Sequence, residues 1–225
     1  MIEQTPREPE PEVMDVPEEA DAYARADFDD VNQAFVDRLL EFVGPLETAH
    51  AVDLGTGPAD IPIRVARARP GWRIVAVDAS PAMLEIARGA IGRAGLAHAV
   101  EPTLADAKDS RLPDHAFDVV FSNSILHHIN DTDRFWDAAR RIGRPGAWAF
   151  LRDLYRPATS DAARRIVRRY SGEESELLQE EFYRSLMAAY TPDEIRAQLA
   201  RAGLDALEVS LVTDRHVDIT GRLPD

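Results

Sequence analysis

Between residues 49 and 124 the chain passes four times through a short apolar, strand-like run that ends in small or acidic residues. The runs are 49–54, 73–77, 97–104 and 117–122. Beyond them stand Gly55, Thr56 and Gly57, then Asp78, then Asp106, then Asn123 and Ser124. Helical segments separate the runs. One covers 60–69, with Pro62 tolerable in its first turn and Pro70-Gly71 as its stop. A second begins at Ser80-Pro81, an N-cap followed by proline at the first helical position, and runs to about Arg93 with Gly95 as its stop. A third covers 131–142, and Arg144, Pro145 and Gly146 then turn the chain into a fifth strand at 147–154. Parallel strands need crossovers of this length, so the alternation predicts an α/β doubly wound sheet, mostly parallel.

The flanking segments add to that core. Residues 16–43 place Phe28, Val31, Phe35, Val36, Leu39, Leu40 and Val43 at helical spacing, and Gly44-Pro45 ends the helix. Residues 157–190 read as two helices without a strand between them. Thr191, Pro192, Asp193 and Glu194 then form a capping box that opens a helix ending at Gly203. Segments 207–213 and 216–221 read as a terminal hairpin that adds an antiparallel edge strand. The expected organisation is one domain over 20–225, with a helical cap formed by 20–43 and 157–190. It is preceded by an acidic, proline-rich arm over 1–19 that is solvated and open to disorder.

In a doubly wound sheet, ligands bind beyond the carboxyl ends of the strands, so the residues there are the candidate site. Gly55 and Gly57 let the backbone approach a ligand closely, and Asp78, twenty-one residues past Gly57, is placed to accept from ribose hydroxyls. A dinucleotide loop wants a third glycine where Asp60 stands. Asp53 and Asp60 would also lie near a pyrophosphate's negative charge. S-adenosylmethionine has no phosphate and carries an ammonium and a sulfonium, so acidic residues around it are electrostatically sensible.

Five segments in order carry a family resemblance. They are Val52 to Gly57; Ile74 to Asp78 with Ser80 to Leu84; Ala105 to Ala107; Leu112-Pro113 with Phe117 to His128; and Arg144 to Ala147. Together they resemble the motifs of class I (Rossmann-like) S-adenosylmethionine-dependent methyltransferases over about residues 50–155. The likeness is to the small-molecule group that includes quinone-type methyltransferases. It implies S-adenosylmethionine as donor, S-adenosylhomocysteine as product, and methyl transfer to a small-molecule acceptor by in-line displacement. Carried over, Asp53 sits near the methionine moiety and Gly55, Thr56 and Gly57 pass beneath the ligand. Asp78 holds the ribose, its neighbour Ala79 also lines the cofactor site, and Met83 packs on the adenine. Asp106 takes the adenine amino group, Ala107 offers a backbone N–H, Asn123 and Ser124 border the methyl group, and Tyr23 folds over the cofactor. The chain departs from the pattern at Ala59, where many members have a third glycine. A methyl there implies tighter packing without loss of binding.

Methyl transfer asks the protein mainly to align the nucleophile and exclude water, and a general base is needed only if the acceptor holds a proton. The candidates are Asn123, His127, Asp153 and Arg156. His127 reads either as a base or as a buried hydrogen-bonding histidine. Asp153 and Arg156 read either as a grip on a polar substrate group or as a salt bridge. Adjacent helical residues point about 100° apart, so at most one of His127 and His128 is expected to face the site. His127, His128, Asp131 and Asp133 lack a further inward ligand, and no metal site is expected. On the inserted helices, Arg164, Arg165, Arg168 and Arg169 form a basic face. Phe182, Tyr183, Leu186, Met187 and Tyr190 form a stripe that serves as core or lines an aromatic acceptor pocket.

Two other functions stay open at this point: a NAD(P)-binding oxidoreductase and an inactive module that binds S-adenosylmethionine. A net charge of −14 disfavours nucleic acid, although residues 1–30 hold eleven of the acidic side chains against two arginines. No apolar run approaches the roughly 18 residues of a membrane span, and the N-terminus has no signal-peptide character. A cytoplasmic protein is expected. With no cysteine there is neither disulfide nor thiolate chemistry. Lys108 is the lone lysine among 26 basic residues, a skew that points to a bacterial source.

Overall fold

A computed structural model describes residues 4–13, 28–109 and 111–224 of the chain. One seven-stranded sheet comprises β1 (Ala49–Leu54), β2 (Trp72–Asp78), β3 (Val100–Leu104), β4 (Phe117–Asn123), β5 (Gly143–Leu154), β6 (Glu208–Leu211) and β7 (His216–Arg222). Their order is β3-β2-β1-β4-β5-β7-β6. The first five strands are mutually parallel, and β7 runs antiparallel to both β5 and β6. The helices are α1 (Asp29–Val43), α2 (Asp60–Ala68), α3 (Pro81–Ala94), α4 (Thr132–Ile142), α5 (Ser160–Ser171), α6 (Glu176–Ala188) and α7 (Pro192–Arg201), with a 3₁₀ turn at Leu126–His128.

The central strands are apolar on both faces because each face is covered. Ala51, Val119 and Phe121 pack with Phe35 of α1, Ile63 of α2 and Leu84 of α3 on one side. Their alternate neighbours Val52, Leu54 and Val120 pack with Phe135 of α4 and Ile195 of α7 on the other. That two-residue alternation is the strand pleat made visible. A smaller cluster of Leu154, Ala163, Val167, Leu186 and Met187 joins α5 to α6 above the end of β5. Between β5 and β7, Arg152 makes a buried bidentate pair with Asp218 at 2.6 and 2.8 Å.

Several boundaries differ from the sequence expectation. Residues 97–99 form a turn, so β3 begins only at Val100. β5 begins earlier, at Gly143, and its pairing with β4 slips between Phe117 and Val119. The expected turn at Arg144, Pro145 and Gly146 is thus an irregularity inside the strand, with Gly146 at φ 71°. The described part of the first helix begins at Asp29, and the expected stretch 16–27 lies outside the described residues.

Residues 4–13, the described part of the expected arm, run along the rim of the domain and stay partly exposed. Thr5 N–H donates to the Ala158 carbonyl and Glu8 N–H to the Met187 carbonyl, both at 3.1 Å. Arg7 donates to the carbonyls of Ala188 and His127 and stacks over the Tyr190 ring. A charged segment is held here because the carbonyls around the end of α6 need donors.

Candidate active site

Strand order reverses its progression at β1, with β2 on one side and β4 on the other. The loops beyond β1, β2 and β4 therefore part and open a crevice. The cleft there has a volume of about 620 Å³. Its floor is the loop after β1. Gly55 has φ +76°, and a Cβ on it would stand 2.4 Å from Ile125 Cδ1, so this position takes no side chain without displacement. Gly57, at φ +53°, donates its N–H to Asp78 Oδ2 at 2.7 Å. The other oxygen of Asp78 accepts from Ser80 N–H at 2.9 Å, which ties the β1 loop to the start of α3. Burial pushes the Asp78 carboxyl above its usual range, although these N–H groups oppose the shift.

Ala59 is fully buried and left-handed, at φ 67° and ψ 24°. The expectation of tighter packing alone is therefore incomplete. A non-glycine residue in this conformation costs about 1–2 kcal/mol, which its buried methyl partly offsets.

Asp53 lies at the bottom of the cleft and is 2% exposed. Its one side-chain partner among the described residues is the Thr56 hydroxyl, which donates at 2.7 Å. Burial, with the nearby Asp78 charge, pushes its carboxyl up to about 7. Farther along the cleft, Asp106 accepts from Lys108 N–H and lies 3.2 Å from Lys108 Nζ. That ammonium is also 2.6 Å from Glu12 Oε2. Ala79, Met83, Ala107, Asn123 and Ser124 complete this half of the lining. Tyr23 lies outside the described residues.

The other half is built on the 3₁₀ turn. His127 is buried, and its Nδ1 contacts Asp153 Oδ1 at 2.5 Å. The second oxygen of Asp153 accepts from Leu126 N–H at 2.5 Å and His127 N–H at 3.3 Å. Burial alone would lower the His127 pKa, but Asp153 and Glu10 outweigh it and raise the value. His128 goes the other way, to about 3, through burial and the His127 charge. The two rings lie 4.2 Å apart and both line the cleft, which corrects the expectation that at most one would face it. The turn is 3₁₀, and Glu10 stands where both rings reach it. Leu178 and Phe182 of α6 form the opposite wall.

A second correction concerns Asp153 and Arg156, which neither pair with each other nor line the cleft. Asp153 is spent on the histidine turn. Arg156 donates to the carbonyls of Thr5 and Ala189 at 2.9 and 2.7 Å and to Glu194 Oε1 at 2.7 Å. It fastens the N-terminal segment and the capping box of α7 together. Glu10 and Glu12, missed in the sequence, enter the cleft from residues 4–13. The acidic run there carried no spacing that tied it to His127 or Lys108.

In α/β sheets of this kind a crevice beyond the carboxyl ends of the strands, here at β1, β2 and β4, is where nucleoside cofactors bind. Its carboxylates decide the sign of the ligand. Asp53 has a hydroxyl for a partner and no cation among the described residues, so the ammonium and sulfonium of S-adenosylmethionine fit here and a pyrophosphate does not. Comparison with known proteins agrees. Residues 52–151 match the family described as "Methyltransferase domain". The chain is 31% identical over 192 residues to malonyl-[acyl-carrier protein] O-methyltransferase of Geobacter sulfurreducens, a match covering 84% of this chain and 67% of the relative. It is 27% identical over 183 residues to 27-O-demethylrifamycin SV methyltransferase of Amycolatopsis mediterranei, covering 80% and 62% respectively. The chain thus spans about two thirds of these relatives, and about a third of some others. A crystal structure of a SAM-dependent methyltransferase from Aquifex aeolicus superposes with a TM-score of 0.70 at 16% identity, covering 92% of this chain and 98% of that one. The chain belongs to the class I S-adenosylmethionine-dependent methyltransferases, which sets aside the oxidoreductase reading.

Proposed function

We propose that the cleft holds S-adenosylmethionine between the β1 loop and α3 and methylates a small-molecule acceptor bound beneath α6. S-adenosylmethionine, when bound, supplies a methyl group already activated by its sulfonium. Asp53 meets the positively charged methionine end, and Gly55, Thr56 and Gly57 let the backbone pass under it. Asp78 and Ala79 hold the ribose. Met83 packs on the adenine, with Asp106 and Ala107 at its edge. Asn123 and Ser124 border the methyl group. His127, oriented by Asp153, borders the acceptor's end of the cleft, and Leu178 and Phe182 exclude water from it. Residues 157–190, with the first helix, serve as the cap of a single domain.

The observation that carries this reading is the buried Asp53, without a cation partner among the described residues, at the bottom of a cleft of cofactor size. The small-molecule acceptor is supported by the apolar wall of α6 and by what the rifamycin relative is named for acting on. The acidic lining speaks against a polyanion. A cytoplasmic location and a bacterial source go with this reading, the first because the cofactor is an intracellular metabolite and the second from the arginine-for-lysine skew. Among the described residues, no helix is long and apolar enough to cross a membrane.

Calorimetry with S-adenosylhomocysteine and with NAD on the wild type and on Asp78→Ala tests the cofactor half. Binding of S-adenosylhomocysteine alone, lost in the variant, is the expected result. Preference for NAD, or binding of neither, overturns the reading. Labelled-methyl transfer to a panel of small hydroxyl, carboxyl and amine acceptors then tests the rest.

A further inference from the structure

Glu10, His127 and His128 bring one carboxylate oxygen and two ring nitrogens within 4.8 Å of one another. Glu10 Oε1 lies 3.5 Å from His127 Nε2 and 3.2 Å from His128 Nδ1. Donors bound about 2.0–2.1 Å from a tetrahedral Zn²⁺ stand about 3.3–3.4 Å apart; the two Glu10 separations match that spacing, and the two ring nitrogens lie within 4.8 Å of each other.

The surroundings match. His127 uses Nδ1 on Asp153, which turns Nε2 toward Glu10 as the donor for a cation. A carboxylate behind a ligating imidazole is the usual device that fixes such a ligand's orientation. Asp153 is itself held by the Leu126 and His127 amides, so the imidazole is positioned before anything binds. Glu10 is nearly buried, with the Ser185 hydroxyl as a further partner at 3.2 Å. Among the described residues, the charges around the cluster include the carboxylates of Glu10, Asp153 and Glu181 and the guanidinium of Arg7. That guanidinium is engaged by the His127 carbonyl, Ala188 carbonyl and Asn130 side chain. The balance is negative and suits a divalent ion. His128 Nδ1 also lies 3.3 Å from the Pro11 carbonyl, a contact that binding would replace.

We propose that Glu10, His127 and His128 bind a first-row divalent transition cation, Zn²⁺ foremost, with the fourth position facing the cleft. Two imidazoles and one carboxylate are the donors such ions prefer, whereas Mg²⁺ demands an oxygen-rich octahedral shell. Placed there, the ion would hold an oxygen of the acceptor and lower the pKa of a coordinated hydroxyl. This use rests on the methyl-transfer reading above; cation binding does not. A second consequence is that Glu10 would staple residues 4–13 to the 3₁₀ turn.

The test uses the full chain after dialysis against a chelator. Zn²⁺ is titrated by calorimetry, and Co²⁺ by its visible absorption, which reports tetrahedral geometry. The expected result is one equivalent of either ion, no heat with Mg²⁺, and slower amide exchange over residues 4–13 with Zn²⁺ bound. Glu10→Gln and His128→Ala should each weaken binding at least tenfold, and Asp153→Asn about 10–100-fold. His98→Ala, at an exposed histidine away from the cleft, should leave it unchanged. No Co²⁺ spectrum, or affinity indifferent to both Glu10→Gln and His128→Ala, overturns the proposal. Calorimetry with S-adenosylhomocysteine on the same samples separates the two readings. Its loss with the Co²⁺ signal intact sinks the methyltransferase assignment of the cleft and leaves the cation site standing.

Discussion

Replacing Asp53 with Asn tests the electrostatics of the cleft more sharply than any other single change. In the folded chain the carboxyl is raised from 3.8 to about 7, with burial as the main cause and the Asp78 charge adding to it. A raised folded-state pKa means the protonated form is favoured by folding. The stabilisation is complete below the unfolded value and lost as pH rises through the folded one, here between 3.8 and about 7. At about 1.4 kcal/mol per unit, a chain at pH 5 keeps about 2–3 kcal/mol of stability that it has lost by pH 8. That corresponds to a fall in Tm of about 5–10 °C for a chain of this size. Asn has no charge to expel, so the difference between wild type and Asp53→Asn isolates this group from the other titrating residues.

The variant should be the more stable of the two, relative to pH 5, by about this amount at pH 8. A cationic ligand reverses the preference, because it stabilises the ionised form. Binding of S-adenosylhomocysteine, which keeps the ammonium, should then strengthen about tenfold from pH 6 to pH 8 in the wild type and stay flat in the variant. Thermal denaturation and calorimetry across pH 5–8 measure both. Parallel stability profiles for the two proteins would refute the reasoning, as would an affinity equally pH-dependent in both.

Other outcomes follow from single contacts. Gly55→Ala places a methyl against Ile125 in a left-handed backbone and should cost about 1–2 kcal/mol from the backbone alone, with a drop in S-adenosylhomocysteine affinity readable by calorimetry. Asp218→Ala leaves Arg152 buried and unpaired and should destabilise by about 3–5 kcal/mol in urea unfolding, while replacing both partners by apolar residues should recover most of the loss. Arg156→Ala frees the carbonyls of Thr5 and Ala189, so amide exchange at residues 4–13 should accelerate before the sheet strands change.

The sequence alone determined the sheet and the residues beyond the strand ends, and its motifs pointed to the cofactor class. Each is written locally: apolar runs of strand length, glycines where the backbone turns, an N-cap before Pro81, and a capping box at Thr191. Asp53, Gly57 and Asp78 could be found because a parallel sheet sends every strand's carboxyl end to the same edge. What that code omits are contacts between segments far apart in sequence. Asp153 and Arg156 read either as a substrate grip or as a salt bridge with each other; instead Asp153 anchors His127, 26 residues away, and Arg156 clamps residue 5 and Glu194. Glu10 lies more than a hundred residues before the histidines it faces, in a stretch whose charge alone reads as solvated. Only the path of residues 4–13 across the rim decided that this carboxylate lies nearly buried beside two imidazoles, because long-range pairing is fixed by how elements pack and leaves no periodicity in the chain.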